Sequence, residues 1–198
     1  MKNTVKILSA IVIALVAASF TISDDPSGYK PGDLAIDFKL RNVDGKMVQL
    51  ADNKKAKGFI VVFTCNHCPF SQAYEDRIIE LDKKYASKGY PVIAINPNDV
   101  TRSPEDSYAK MQERSKEKRF TFAYLHDETQ QIAKTYGATR TPHVYLLKRT
   151  AKGNEVVYVG AIDDNYEDAK AVKEKYVEAA VDALLANKAV AKTSTKAI

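Results

Sequence analysis

Cysteine is almost absent from this chain. Its 198 residues hold two, Cys65 and Cys68, together with three histidines. A structural zinc site asks for four Cys or His ligands. The pair would have to recruit two of His67, His126 and His143, and no second ligand pair has metal spacing, so no metal is expected. A purely structural disulfide is a poor reading as well, because a bridge across two intervening residues constrains little of the unfolded chain. No internal repeat is visible. The densest basic run, "QERSKEKR" at 112–119, contains two glutamates and no interleaved aromatics. It reads as a solvated helix face, which argues against a nucleic-acid partner.

Long apolar runs are scarce too. The one candidate, "ILSAIVIALVAASF" at 7–20, follows Lys2 and Lys6 and is shorter than the roughly 20 residues a spanning helix needs. Its charge, length and small-residue end are those of a secretory signal peptide over 1–22, with cleavage after Ala18 or Ser19. An uncleaved N-terminal anchor is the alternative. No cysteine stands at the junction, so lipid attachment there is excluded. Either way the expected location is periplasmic or secreted. "SDDPSGYKPGD" at 23–33 is rich in turn formers and reads as a linker. The folded domain is expected over 34–187, and a disordered tail over 188–198. The net charge is a modest +5, and 45% of residues are hydrophobic, which suits a globular domain with a real core.

Within that domain, Asp44-Gly45 between short apolar segments signals a tight turn. "GFIVVFT" at 58–64 and "YPVIAIN" at 90–96 are continuous apolar runs, as expected of strands buried on both faces. Tyr74, Ile78, Leu81 and Tyr85 recur at helical spacing, with Gly89 as a stop. Ser103-Pro104-Glu105 opens a further helix, "FTFAYLHD" is extended, and "ETQQIAKTYGA" is a short helix. "PHVYLLKR" and "EVVYVGAI" form a hairpin. Val172, Tyr176, Ala180 and Leu184 mark a last long helix. This alternation predicts a three-layer α/β sandwich around a mixed sheet.

The cysteines fall where a buried strand gives way to an amphipathic helix. Unpaired N–H groups and the helix dipole there favour an anion, hence a thiolate, which is the nucleophile in disulfide exchange. A second thiol nearby can attack the mixed disulfide and release product. The pattern therefore points to a redox-active dithiol.

"VVFTCNHCPF" and "TPHVYLL", in this element order, resemble the thioredoxin fold. The leader "PGDLAIDFKLRNVDGKMVQL", "AINPND" and "HDETQQIAKTYGA" are similar to its redoxin branch. That branch takes in the AhpC/TSA peroxiredoxins and the TlpA-like and ResA-like extracytoplasmic proteins. The resemblance covers Gly32 to Ala186. It implies Cys65 as nucleophile and Cys68 as resolving thiol. It also implies a cis Thr141-Pro142 bond opposite them, where Thr141 and Pro142 bind an extended substrate. The implied activity is thiol–disulfide oxidoreduction without a cofactor, by a monomer acting on a protein disulfide or thiol client. A membrane-linked electron donor would supply it.

Several positions depart from the pattern. Phe59 stands where thioredoxins carry a buried Asp, so the proton acceptor is unassigned. Glu75 is two turns from Cys68 and reads as a surface or structural carboxylate. Pro69 disfavours helical geometry at Cys68, so the helix is expected to kink or restart there. Peroxiredoxins resemble P-x-x-x-T-x-x-C, but Val62 stands three positions before Cys65 and Cys65 itself three before Cys68. A thiol peroxidase is therefore the alternative reading, and a redox-inert binding module a remoter one. His67 and Arg140 are expected to add positive potential beside Cys65 and make the disulfide more oxidising. The ResA-like resemblance implies a reductant, so a reductase with a potential above that of thioredoxin is expected. His143 is expected to be structural.

Overall fold

The structure, a computed structural model, describes residues 28–198. The expected signal peptide and the start of the expected linker lie outside the described residues. In chain order, β1 (Leu34–Ala35) and β2 (Lys39–Asn42) lead to β3 (Met47–Gln49). The β2–β3 turn is the expected Asp44-Gly45. Gly45 takes a φ of 87°, where a side chain would be strained, and the Asp44 carboxylate accepts the Lys46 N–H at 2.9 Å. Then follow β4 (Gly58–Phe63), α1 (Pro69–Tyr85), β5 (Val92–Asn96), α2 (Tyr108–Lys118) and β6 (Ala123–His126). The chain closes with α3 (Gln131–Tyr136), β7 (His143–Thr150), β8 (Gly153–Gly160) and α4 (Tyr176–Leu185).

The strands form one mixed sheet in the order β1-β8-β7-β4-β5-β6-β2-β3. β4, β5 and β6 run parallel, and β7 lies antiparallel against β4. All six residues of β4 and all five of β5 are buried, because helices or loops cover both faces. On one face, Ile60, Val62, Val144 and Leu146 meet Tyr74, Ile78, Leu81 and Tyr85 of α1 and Val177, Ala180 and Val181 of α4. On the other, Phe59, Val61, Phe63, Ile93 and Ile95 pack with Ala133 and Tyr136 of α3 and with Phe38 and Leu50. The three-layer, thioredoxin-like α/β sandwich expected from the sequence is the fold observed. No helix among the described residues is long and apolar enough to cross a membrane.

Three segments differ from their sequence reading. The described part of the linker is docked: Tyr29 donates its N–H to the Tyr136 carbonyl at 3.0 Å, and Gly32 donates to Val156 at 2.8 Å. The tail does not lie free of the domain. Val159 donates to Thr193 and Thr195 donates to Val159, both at 3.0 Å, so the chain end runs beside β8. The Thr195 hydroxyl also meets the Tyr158 hydroxyl at 2.7 Å and accepts the Ala161 N–H at 2.9 Å. Gly160 makes room, since a Cβ there would lie 2.2 Å from the Thr195 hydroxyl. Such edge pairing depends on backbone groups, which leave no trace in hydrophobic periodicity. The last helix starts only at Tyr176, because Val172 is extended after a short turn whose cap is Asp168.

Candidate active site

α1 begins at Pro69, and the reason is local. Proline suits the first helical position, where its missing N–H costs nothing, and it drives the preceding residue out of helical geometry. Cys68 is therefore the N-cap, with φ −64° and ψ 124°. The helix does not extend back to Cys65. The expectation that the helix N-terminus activates Cys65 is thus met at Cys68 instead. Cys65 lies in the turn that joins β4 to the helix, only 3% exposed, whereas Cys68 is half-buried.

Both thiols are free and both meet Thr141, whose bond to Pro142 is cis. The Cys65 sulfur lies 3.2 Å from the Thr141 hydroxyl and 3.5 Å from the Ser71 hydroxyl. Cys68 donates to the Thr141 carbonyl at 3.5 Å. Burial pushes the Cys65 thiol above its ordinary pKa, although contacts with Ser71, Thr141 and Cys68 oppose this. Burial also raises Cys68, but the N–H groups of Ser71 and Phe70 in the open first turn outweigh it and set this thiol below its usual range.

His67 sits on the rim, its side chain 44% exposed, and its Nδ1 meets the Asp106 carboxylate at 2.6 Å. Asp106 is fully buried. It also accepts the Asn66 N–H at 2.6 Å, the Asn96 amide at 3.2 Å and the Asn98 amide at 2.7 Å. Asn66 is tied in turn to the Tyr124 hydroxyl at 2.8 Å and to the Glu105 carbonyl at 2.8 Å. A buried carboxylate needs hydrogen-bond partners, and these side chains and the backbone supply them. The Cys65 sulfur, a His67 ring nitrogen and an Asp106 oxygen all lie within 4.8 Å of one another.

Topology brings these groups together. β4 and β5 are parallel neighbours, so the turn after Phe63 and the loop after Asn96 leave the sheet at the same edge, where α/β proteins build their sites. Asp106 carries no motif that singles it out, and Asn96 and Asn98 stood only within "AINPND", with no role assigned to them. The signal available was their place just beyond a predicted buried strand. The resulting cleft, of about 520 Å³, is lined by Cys65, His67, Cys68, Asn98, Arg102 and Thr141 among others.

The remaining expected residues fall outside it. Arg140 is exposed and lines a neighbouring hollow with Gln130, Lys134 and Thr141. His143 is 9% exposed and packs on Tyr145 at 4.8 Å between ring centres, inside the sheet. Burial and then the Arg140 charge lower its pKa to about 4. Phe59 is fully buried in the apolar core, so no carboxylate serves the dithiol from that position. Glu75 is buried and receives Arg114 of α2 at 2.7 and 2.8 Å, a structural tie between the helices.

The AhpC/TSA family model matches residues 31–161. This chain belongs to the AhpC/TSA family. The thiol-disulfide oxidoreductase ResA of Oceanobacillus iheyensis is 28% identical over 155 residues, 76% of this chain and 75% of that one. An uncharacterized conserved protein from Geobacillus kaustophilus has a crystal structure that superposes with a TM-score of 0.76 at 38% identity, covering 83% of this chain and 88% of that one. A hypothetical protein from Sinorhizobium meliloti 1021 gives a TM-score of 0.79 at 34% identity, over 86% and 92% of the two chains. The family match spans the strand–turn–helix that carries both cysteines and the loop before β7.

Proposed function

We propose that the protein is an extracytoplasmic thiol–disulfide oxidoreductase that uses the Cys65–Cys68 dithiol to reduce disulfides of protein clients. The observation that carries this reading is the pair of free thiols at the head of α1, both against Thr141. Two sulfurs so placed can take up a client disulfide in sequence and leave as a disulfide themselves. Thr141 and Pro142 present backbone at the dithiol, a place for an extended client segment to lie. Similarity to ResA supports the same chemistry. The charged and apolar leader at 1–22 supports export, and a membrane-linked dithiol donor would return the electrons. The chain acts as a monomer and needs no metal or cofactor for exchange between thiols.

The test is an insulin-type reduction assay on the mature protein, with the dithiol titrated against glutathione. Wild type reduces the substrate, and the Cys65→Ser/Cys68→Ser double variant does not. Activity that survives in the double variant, or peroxide turnover that outpaces disulfide reduction in wild type, would overturn the reading.

A further inference from the structure

We infer that the protein prefers clients with acidic residues on one side of the reacting cysteine, in an extended segment that Lys134 and Arg140 receive. This rests on the oxidoreductase reading above and adds the class of client. The dithiol cleft does not end at the cysteines. A second hollow, of about 280 Å³, adjoins it, and Asn98, Gln130 and Thr141 line both. Thr141 is the step between the two spaces. Its hydroxyl meets the Cys65 sulfur, its carbonyl accepts from Cys68, and Arg140 is the residue before it.

The two spaces differ in charge. In the dithiol cleft the Arg102 guanidinium stands 4.0 Å from the Asp99 carboxylate, so cation and anion lie together. The second hollow is lined by Lys134 and Arg140 and by no carboxylate. Both residues are exposed, and among the described residues neither has an ion-pair or side-chain hydrogen-bond partner. Asp127, ahead of α3, does not answer them, because it is buried and its carboxylate accepts the Ala133 N–H at 2.8 Å. The lowered pKa of His143 agrees with an Arg140 charge that no neighbour cancels. For its cysteine to meet the sulfurs, a client lays its backbone past Thr141. An extended chain advances about 3.3 Å per residue, and consecutive Cα atoms such as those of Arg140 and Thr141 lie about 3.8 Å apart. Side chains roughly two to four residues from the client cysteine therefore pass over Lys134 and Arg140. Carboxylates there meet two unpaired cations, and basic residues are repelled. Exposed ion pairs are individually weak, so the effect is a preference among clients and not an absolute requirement.

The experiment follows single-turnover reduction of fluorogenic disulfide peptides by the pre-reduced full chain. The peptides share one length and differ only in charge: Glu at positions before the cysteine, Glu at the matching positions after it, or Gln throughout. One acidic peptide is expected to react about 10-fold faster than the Gln peptide, and the other about as fast as it. Salt at about 1 M should bring the favoured peptide close to the neutral one, because it screens exposed pairs. Lys134→Glu/Arg140→Glu should lower the ratio of the favoured rate to the neutral rate by about 10-fold or more. A change in the reactivity of the sulfurs would move both rates alike, so this ratio reports client binding and not dithiol chemistry. Arg140→Lys, which keeps the charge, should keep the ratio. Equal rates for all the peptides overturn the inference. So does equal acceleration by Glu on either side, which marks a general attraction of a chain of net charge +5 for acids. Oxidised glutathione reduced faster than the favoured peptide would give the cations to a small anionic thiol and overturn it too. A protein that reduces none of these disulfides overturns the oxidoreductase reading, and the inference with it.

Discussion

His143 makes the stability of this domain depend on pH in a way that can be calculated. The ring is 9% exposed, its Nδ1 has no partner, and its pKa falls from 6.5 to about 4. Burial is the larger cause and the Arg140 charge the smaller. In the unfolded chain the same imidazole takes up a proton near pH 6.5. Between pH 6.5 and about 4 the unfolded state therefore binds one proton more than the folded state. Stability from this group is complete above the unfolded pKa and drains away as pH falls towards the folded one. One proton is worth about 1.4 kcal/mol per pH unit, so roughly two and a half units amount to about 3 kcal/mol. Because the side chain is almost entirely buried, little of this is screened by solvent. Added salt should remove only the Arg140 share. The perturbation is His143→Gln, which cannot titrate. Urea unfolding of wild type and variant at pH values from 7 to 4 should give a difference that changes by about 3 kcal/mol across the window. Asp127, whose carboxyl is raised by burial, acts with the opposite sign but is present in both proteins and cancels. A difference that stays flat, or a ring titration by NMR with a midpoint near 6.5, would refute the reasoning.

Arg114→Met should destabilise by about 2–4 kcal/mol, because it strands the Glu75 carboxylate, 6% exposed, with only Lys118 at 3.4 Å. In the Glu75→Leu/Arg114→Met variant most of that cost should vanish, and additive losses in urea melts would contradict a buried pair. Gly160→Ala puts a methyl into Thr195 at a φ of 147°, so the melting temperature should fall and trypsin should cut at Lys192 or Lys196 sooner. Equal cleavage rates would show that the tail does not depend on this contact. Absorbance at 240 nm should report two thiol ionisations in the reduced protein, Cys68 at the lower pH and Cys65 at the higher. The lower step should be missing from Cys68→Ser, and its persistence there would reverse the assignment.

The sequence by itself determined the parts that depend on local and periodic physics. The continuous apolar runs at 58–64 and 90–96 could only be strands covered on both faces. Tyr74, Ile78, Leu81 and Tyr85 could only be one buried stripe of a helix, and all four are buried on α1. Pro69 carried its own consequence, since a proline sets the geometry of the residue before it wherever it lies. Two cysteines at a strand-to-helix junction were enough to name the dithiol, and the family resemblance supplied the Thr141-Pro142 loop opposite it. The tertiary structure alone decided how deeply each thiol is buried and which side chains gather beside them. Asp106 lies 39 residues from His67, and Tyr124 lies 58 from Asn66, so no spacing rule connects them. They meet because β4, β5 and β6 are parallel neighbours whose ends open on the same edge of the sheet. Glu75 read as either a surface or a structural carboxylate, and α2 decides for the structural one by laying Arg114 over it. The chain end read as structureless because backbone pairing with β8 leaves composition and periodicity untouched. Burial, and with it the opposite pKa shifts of the two thiols and the lowered pKa of His143, is a property of packing, and packing is settled only when the whole sheet is assembled.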